Sequence, residues 1–120
     1  MKKVDELFLI SLKEVFNSVI NSSDNYSAEE IRSICSKKTQ KAFSKVNYEI
    51  RGSENLPKKQ SSIFIYNHLD NHPDYIVSDK FQITLDSHFI SSMILDKYYG
   101  NPGIRVSRYS LKNEKSHNNY

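Results

Sequence analysis

The first part of the sequence carries apolar residues at helical spacing. Steps of three and four residues connect Val4, Phe8, Leu12, Val15, Phe16 and Val19. This period predicts an amphipathic helix. After a polar break, Ser27 and Glu30 have the spacing of a capping box, which predicts the start of a second helix. A second apolar stripe runs from Ile31 to Val46, so residues 1–46 are predicted to form an N-terminal helical segment.

The pattern changes after residue 46. The run Ser62–Tyr66 is almost continuously β-branched and aromatic, which is typical of a strand buried on both faces. Ile104–Arg108 alternates as a further strand does. Between them, Ser87–Tyr99 has apolar positions at helical spacing and is followed by Gly100, which predicts a helix and its end. The predicted fold is therefore α/β, with two N-terminal helices followed by a small, mostly parallel sheet with a helix between strands.

The composition suits one small domain. The chain has 120 residues, 38% of them hydrophobic, and a formal net charge of +3. We assign the predicted sheet to residues 47–110 and a polar tail to residues 111–120. The single cysteine, Cys35, excludes a disulfide framework and a zinc site built from several cysteines. No apolar run approaches the roughly 18 residues of a membrane-spanning helix.

Basic and acidic residues are segregated along the chain. Positions 37–59 hold seven basic and two acidic residues, whereas positions 68–100 hold five aspartates and two lysines. One face of the second predicted helix carries Arg32, Lys37, Lys41 and Lys45. Such a face suits an anionic membrane surface. Because the sequence has neither interleaved aromatic residues nor a recognisable DNA-binding motif, a nucleic-acid partner is not predicted.

A polar cluster follows the predicted buried strand. Positions 67–74 have the sequence Asn-His-Leu-Asp-Asn-His-Pro-Asp. Open α/β sheets place their ligand sites just beyond the carboxyl ends of the strands. Histidine changes charge near neutral pH, and a nearby carboxylate orients its ring and stabilises the imidazolium. A histidine and aspartate in this position therefore indicate general-base chemistry at a hydroxyl group.

Three stretches of the sequence together carry a resemblance to a known family. Residues 51–57 have the sequence Arg-Gly-Ser-Glu-Asn-Leu-Pro, residues 62–68 follow as Ser-Ile-Phe-Ile-Tyr-Asn-His, and residues 103–108 are Gly-Ile-Arg-Val-Ser-Arg. These stretches resemble the N-terminal half of the glycerolipid acyltransferase domain, of the lysophosphatidate acyltransferase type. The resemblance covers about half of the chain, from residue 46 to residue 110.

The resemblance implies a reaction. A fatty acyl group would pass from acyl-CoA or acyl carrier protein to a hydroxyl of a lysophospholipid or related glycerolipid, at the cytoplasmic face of the inner membrane. No bound cofactor or metal is implied beyond the acyl donor. His68 would be the general base, and Asn67 would lie in the substrate site beside it. Arg105 and Arg108 would hold the acceptor phosphate, for which bidentate guanidinium geometry is suited.

The family motif places the supporting aspartate five positions after the histidine, where this chain has Pro73. Asp74, one position further, is therefore the expected partner of His68, with Asp70 as the substitute. The later family blocks do not follow Tyr109, so we expect an incomplete domain with little activity alone. We also expect the strand Ile104–Arg108, or a neighbour, to be an exposed edge that self-associates.

Two other functions stay open on the sequence. The alternation of His68, Asp70, His72 and Asp74 is also typical of ligands for zinc, iron or manganese, and His88, next to Asp86, would add a more distant ligand. Pro73 and the turn-like Asn71 argue against the regular strand that would align all four ligands on one face. The third possibility is a non-catalytic interaction module.

Overall fold

The computed structural model of the chain describes residues 3–22, 25–58, 61–68, 73, 76–78, 81–82 and 84–106. Two N-terminal helices are present as predicted: α1 is Lys3–Ser22 and α2 is Ala28–Phe43. The capping box at the start of α2 is confirmed, since the Ser27 side chain accepts from the Glu30 N–H and the Ser27 N–H donates to the Glu30 carboxylate at 2.7 Å. The Ser27 N–H and the Ser27 hydroxyl both donate to the Glu30 carboxylate, and these two bonds lower the pKa of Glu30 below its ordinary value.

A third helical stretch spans residues 85–99 and is built from three consecutive segments. They are α3 (Leu85–Phe89), a π-helical segment (Ile90–Asp96) and α4 (Lys97–Tyr99). We call this stretch the composite helix. It ends at Gly100, whose φ of 69° lies in the left-handed region that glycine adopts without steric cost. The predicted helix over Ser87–Tyr99 is confirmed, and it begins two residues earlier.

The hydrophobic core lies between these three helices. Its buried residues are Phe8, Leu12, Ala42, Phe43 and Met93. Phe43 is central, because its ring meets the ring of Phe8 at 5.1 Å and that of Phe89 at 5.0 Å, both edge to face. Edge-to-face pairs add to the stabilisation from burial alone. All three helices thus contribute to one core.

A polar contact fixes α2 against the composite helix beside this core. The Asp96 carboxylate accepts hydrogen bonds from the Ser36 hydroxyl at 2.6 Å and from the Gln40 amide at 2.9 Å. The same Gln40 amide donates to the Ser92 carbonyl at 3.1 Å. Because a charged acceptor strengthens such bonds, this group sets the register between the two helices.

The predicted parallel sheet is wrong. Among the described residues the regular β-structure is one short antiparallel pair, β1 (Ile76–Ser78) with β2 (Phe81–Gln82), and the described part of the chain is mainly helical. Neither Ser62–Tyr66 nor the described part of 104–108 pairs in a ladder with other described residues. The protein is therefore not α/β in its described parts, since its core is built from helices.

The physical reason lies in what a β-branched run can specify. Residues 61–68 contain no helix, turn or bend, and alternate side chains contact the composite helix, as in an extended chain. Burial on both faces also needs neighbouring strands and covering layers, which local sequence does not supply. Here Ile63 is 91% exposed and Ile65 is 93% exposed. The run is thus an extended surface segment instead of a buried strand.

No helix in the described residues is long and apolar enough to cross a bilayer. The predicted polar tail, residues 111–120, lies outside the described residues, as do Asp70, His72, Asp74 and Arg108.

Candidate functional site

The centre of the candidate site is a histidine–aspartate pair. Nδ1 of His68 lies 2.5 Å from Oδ2 of Asp86. The two side chains differ in burial, since that of His68 is 62% exposed and that of Asp86 is 8% exposed. When the Nδ1–H donates to the carboxylate, the neutral ring has an unprotonated Nε2, which is able to accept a proton. The pair therefore has the arrangement of a general base with an orienting carboxylate.

The composite helix holds the carboxylate in place. Asp86 lies in the first turn of α3, and its Oδ1 accepts from the Ser87 backbone N–H at 2.6 Å. The carboxylate thus binds the helix start through one oxygen and the imidazole through the other. This double attachment limits the positions of the His68 ring, because its hydrogen-bond acceptor does not move independently of the helix.

The segment that carries His68 is attached at alternate positions. The Tyr66 hydroxyl donates to the Ser87 Oγ at 3.1 Å, and the Phe64 ring lies 6.0 Å from the Tyr99 ring. In an extended chain, residues two apart point to the same side. Phe64, Tyr66 and His68 therefore all face the composite helix, and this period brings the histidine to Asp86.

An apolar cleft adjoins the pair. It lies between segments 61–66 and 101–106, across the composite helix, and has a volume of about 480 Å³. This volume is in the range of small-molecule sites in proteins. Apolar lining comes from Phe64, Ile90, Leu95 and Tyr99. Because Tyr66 and Ser87 also line the cleft, one of its ends lies next to the His68–Asp86 pair.

Two features hold segment 101–106 close to the helix. The Ser91 hydroxyl donates to the Pro102 carbonyl at 2.6 Å. Gly103 has a φ of 78°, and a Cβ at this position would lie 2.8 Å from the Leu95 Cδ1. Glycine suits this position, because it adopts the left-handed backbone without steric cost and has no Cβ to displace the Leu95 side chain. The glycine of the second family-like block thus has a packing role here.

Arg105 brings a positive charge to the cleft. Its side chain lines the cleft, and its Nη2 lies 3.5 Å from the Ser87 carbonyl oxygen. Since Ser87 follows Asp86 directly, the guanidinium lies at the same end of the cleft as the histidine–aspartate pair. An amphipathic ligand with an apolar tail and an anionic head fits this distribution of charge.

A second histidine, His88, is buried below the same surface. It is 2% exposed, and its Nδ1 is 2.8 Å from the Thr84 carbonyl, to which it donates. Burial, and after it the nearby positive charge of Arg105, lower the pKa of His88 to about 4, against the opposing effects of Thr84 and Asp86. His88 is therefore neutral near neutral pH and supports the fold, whereas the exposed His68 is the accessible proton acceptor.

The structure thus places part of the predicted site. It brings His68 and Arg105 to one end of the cleft and leaves Asn67 exposed next to His68. The predicted partners Asp74 and Asp70, and the predicted phosphate ligand Arg108, are outside the described residues. The carboxylate that the structure does place against His68 is that of Asp86.

Sequence reasoning missed the role of Asp86. Eighteen positions separate it from His68, and no local spacing rule connects the two. The metal hypothesis depends on three residues outside the described part of the chain. In the part that is described, no group of three or more histidine, cysteine, aspartate or glutamate side chains has metal-binding geometry.

Other charged residues lie on α2. Lys37, Lys41 and Lys45 of the predicted basic face are exposed, while Arg32 is half-buried. Lys45 also reaches across to α1, where its Nζ donates to the Ser11 hydroxyl at 2.6 Å. The basic face therefore persists in the fold, with one of its lysines partly engaged in packing.

No family model, curated protein or solved structure matches the sequence.

Proposed function

We propose that this chain catalyses acyl transfer, with His68 as the general base for an acceptor hydroxyl and Asp86 as the carboxylate that orients it. The observation that carries the proposal is the 2.5 Å contact between Nδ1 of His68 and Oδ2 of Asp86 beside an apolar cleft. The acyl donor is a thioester, acyl-CoA or acyl carrier protein. The acceptor is a lysophospholipid or related glycerolipid at an anionic membrane surface, on the cytoplasmic side.

The chemistry follows from the pair. Nε2 of His68 takes the hydroxyl proton as the acceptor oxygen attacks the thioester carbonyl, and Asp86 stabilises the imidazolium that forms. The tetrahedral intermediate then expels the thiolate, which takes the proton back from the imidazolium. An ester and a free thiol are the products, and the histidine returns to its neutral form.

The cleft and its charge support the choice of substrates. Phe64, Ile90 and Leu95 offer apolar surface for an acyl chain. Arg105 lies at the end of the cleft that adjoins the base, where it would hold the acceptor phosphate. The exposed lysines of α2 suit an anionic lipid surface, because clustered basic side chains are attracted to such membranes.

The test is acyl transfer by the purified chain under single-turnover conditions, with protein in excess over acyl-CoA and with lysophosphatidate as acceptor. Both free thiol and new ester are measured, so that slow transfer is seen and distinguished from hydrolysis. His68→Ala should lower the transfer rate by about 10²–10⁴-fold. Asp86→Asn should also lower it, because the amide no longer stabilises the imidazolium.

Two comparisons make the result specific. His117→Ala removes a histidine far along the sequence and should leave the rate unchanged. Equal rates for the unaltered chain and His68→Ala would overturn the proposal. A stoichiometric metal ion in untagged protein, lost in His72→Ala together with activity, would also contradict it and favour the metal site.

A further inference from the structure

The outward face of segment 61–68 is apolar and lacks a partner among the described residues. Ile63 and Ile65 alternate with the residues that contact the composite helix, and they are 91% and 93% exposed. Large β-branched side chains are seldom left so open in a monomer, and adjacent ones mark an interaction surface. The three side chains that face the helix, Phe64, Tyr66 and His68, are on the other side of the segment.

The backbone of the segment is also available for pairing. Within the described part of the chain, no backbone–backbone hydrogen bond involves positions 63–68. An extended β-branched segment with unpaired N–H and C=O groups is a template for strand addition. A lipid surface would cover the isoleucines but would leave those backbone groups without hydrogen bonds. The combination therefore favours a polypeptide partner over a bilayer.

The sequence around the segment is complementary to itself in the antiparallel direction. Pairing centred on Phe64 sets Ile63 opposite the partner subunit's Ile65, and Ile65 opposite the partner subunit's Ile63. Such β-branched cross-strand pairs stabilise sheets.

We propose that this chain forms a two-fold dimer through antiparallel pairing of segment 61–68 with the same segment of a second copy, in the register centred on Phe64. A two-fold axis through the centre of the pair makes the interface self-complementary and closed. The His68–Asp86 contact persists in the dimer, because it uses the opposite side of the segment. The dimer does not depend on the proposed acyl transfer.

The register gives a sharp test. In Ile63→Lys/Ile65→Lys, like charges face each other across the strands in both pairs. In Ile63→Lys/Ile65→Asp, the same positions carry opposite charges that face each other. Sedimentation velocity over a concentration series should show a dimer for the unaltered chain. The dissociation constant should rise by about tenfold or more in the first variant and return toward the original value in the second.

The other extended segment offers a matched control. Ile104 is 83% exposed and Val106 is fully exposed, so Ile104→Lys/Val106→Lys makes an equal change in surface charge and should leave the dimer intact. Circular dichroism on each variant establishes that the fold persists. A monomer at every concentration, a dimer unaffected by Ile63→Lys/Ile65→Lys, or loss of the dimer in the control variant would overturn the proposal.

Discussion

The helical core and the segments that line the cleft are stabilised in different ways. In the core, Leu12 is fully buried and Met93 is 2% exposed. In segment 61–68, the site residue His68 is open to solvent. The segment contacts the helix at alternate positions through two polar bonds and the Phe64–Tyr99 ring contact. The core therefore carries most of the folding free energy, and the exposed segment carries the chemistry. Segments with few apolar contacts are also the ones that open locally at low cost.

The largest expected contrast comes from shortening one aliphatic side chain in each region. Leu12→Ala should lower the free energy of unfolding by about 2–5 kcal/mol, because it removes a buried side chain and leaves a cavity. Ile63→Ala should change it by less than about 0.5 kcal/mol in the monomer, since the side chain is already in water. Urea denaturation at low protein concentration measures both.

Equal losses would contradict the division into core and surface segment. A large loss for Ile63→Ala that disappears on dilution would instead indicate that the segment is covered by a second copy.

The same contrast explains which elements were predictable from the sequence. The helices α1 and α2 follow from a period of apolar residues that matches the face they bury, and the capping box at Ser27 and Glu30 fixes where α2 begins. Helical periodicity reports directly on burial, because one stripe of the helix must face the core. Gly100 likewise ends the composite helix where the sequence predicts it.

The error about the sheet has the opposite origin. Ser62–Tyr66 has β-propensity, but β-propensity depends on the packing environment and does not specify which residues cover the strand. His68 was predictable as a site residue from its chemistry and its place after this run. Its partner Asp86 was not, because the contact depends on how the segment crosses the composite helix. The π-helical segment Ile90–Asp96 also has no simple sequence signature.

Lowering the pH should reduce the free energy of unfolding by an intermediate amount, because the histidine His88 is buried. Burial lowers the pKa of His88 to about 4 from the ordinary value of 6.5. Between these values the unfolded chain binds a proton at this position and the folded chain does not. Stability contributed by the neutral ring is therefore complete above pH 6.5 and falls as the pH is lowered toward 4, by on the order of 3 kcal/mol in total.

The measurement is the free energy of unfolding at several pH values for the unaltered chain and for His88→Gln. The glutamine does not titrate, so the difference between the two proteins should shrink as the pH falls from 6.5 to 4. The other charged groups near His88, Arg105 and Asp86, are common to both proteins. A difference that is constant with pH would show that His88 is protonated equally in the folded and unfolded chains.

The smallest effect on global stability is expected at the junction between the two regions. Tyr66→Phe removes the hydroxyl that donates to the Ser87 Oγ and keeps the ring. The bond is exposed, so its loss should lower the free energy of unfolding by less than about 1 kcal/mol.

The effect on the local order of segment 61–68 should be larger, because the segment then depends more heavily on the His68–Asp86 contact. The NMR order parameters of the backbone amides at residues 63–68 should therefore fall while those in α1 stay the same. Tyr98→Phe, an equally small change at an exposed tyrosine of the composite helix, is the control and should alter neither. A fall of the order parameters in α1 as well would mean that the segment and the core loosen as one unit, and the contrast between them would then be one of exposure alone.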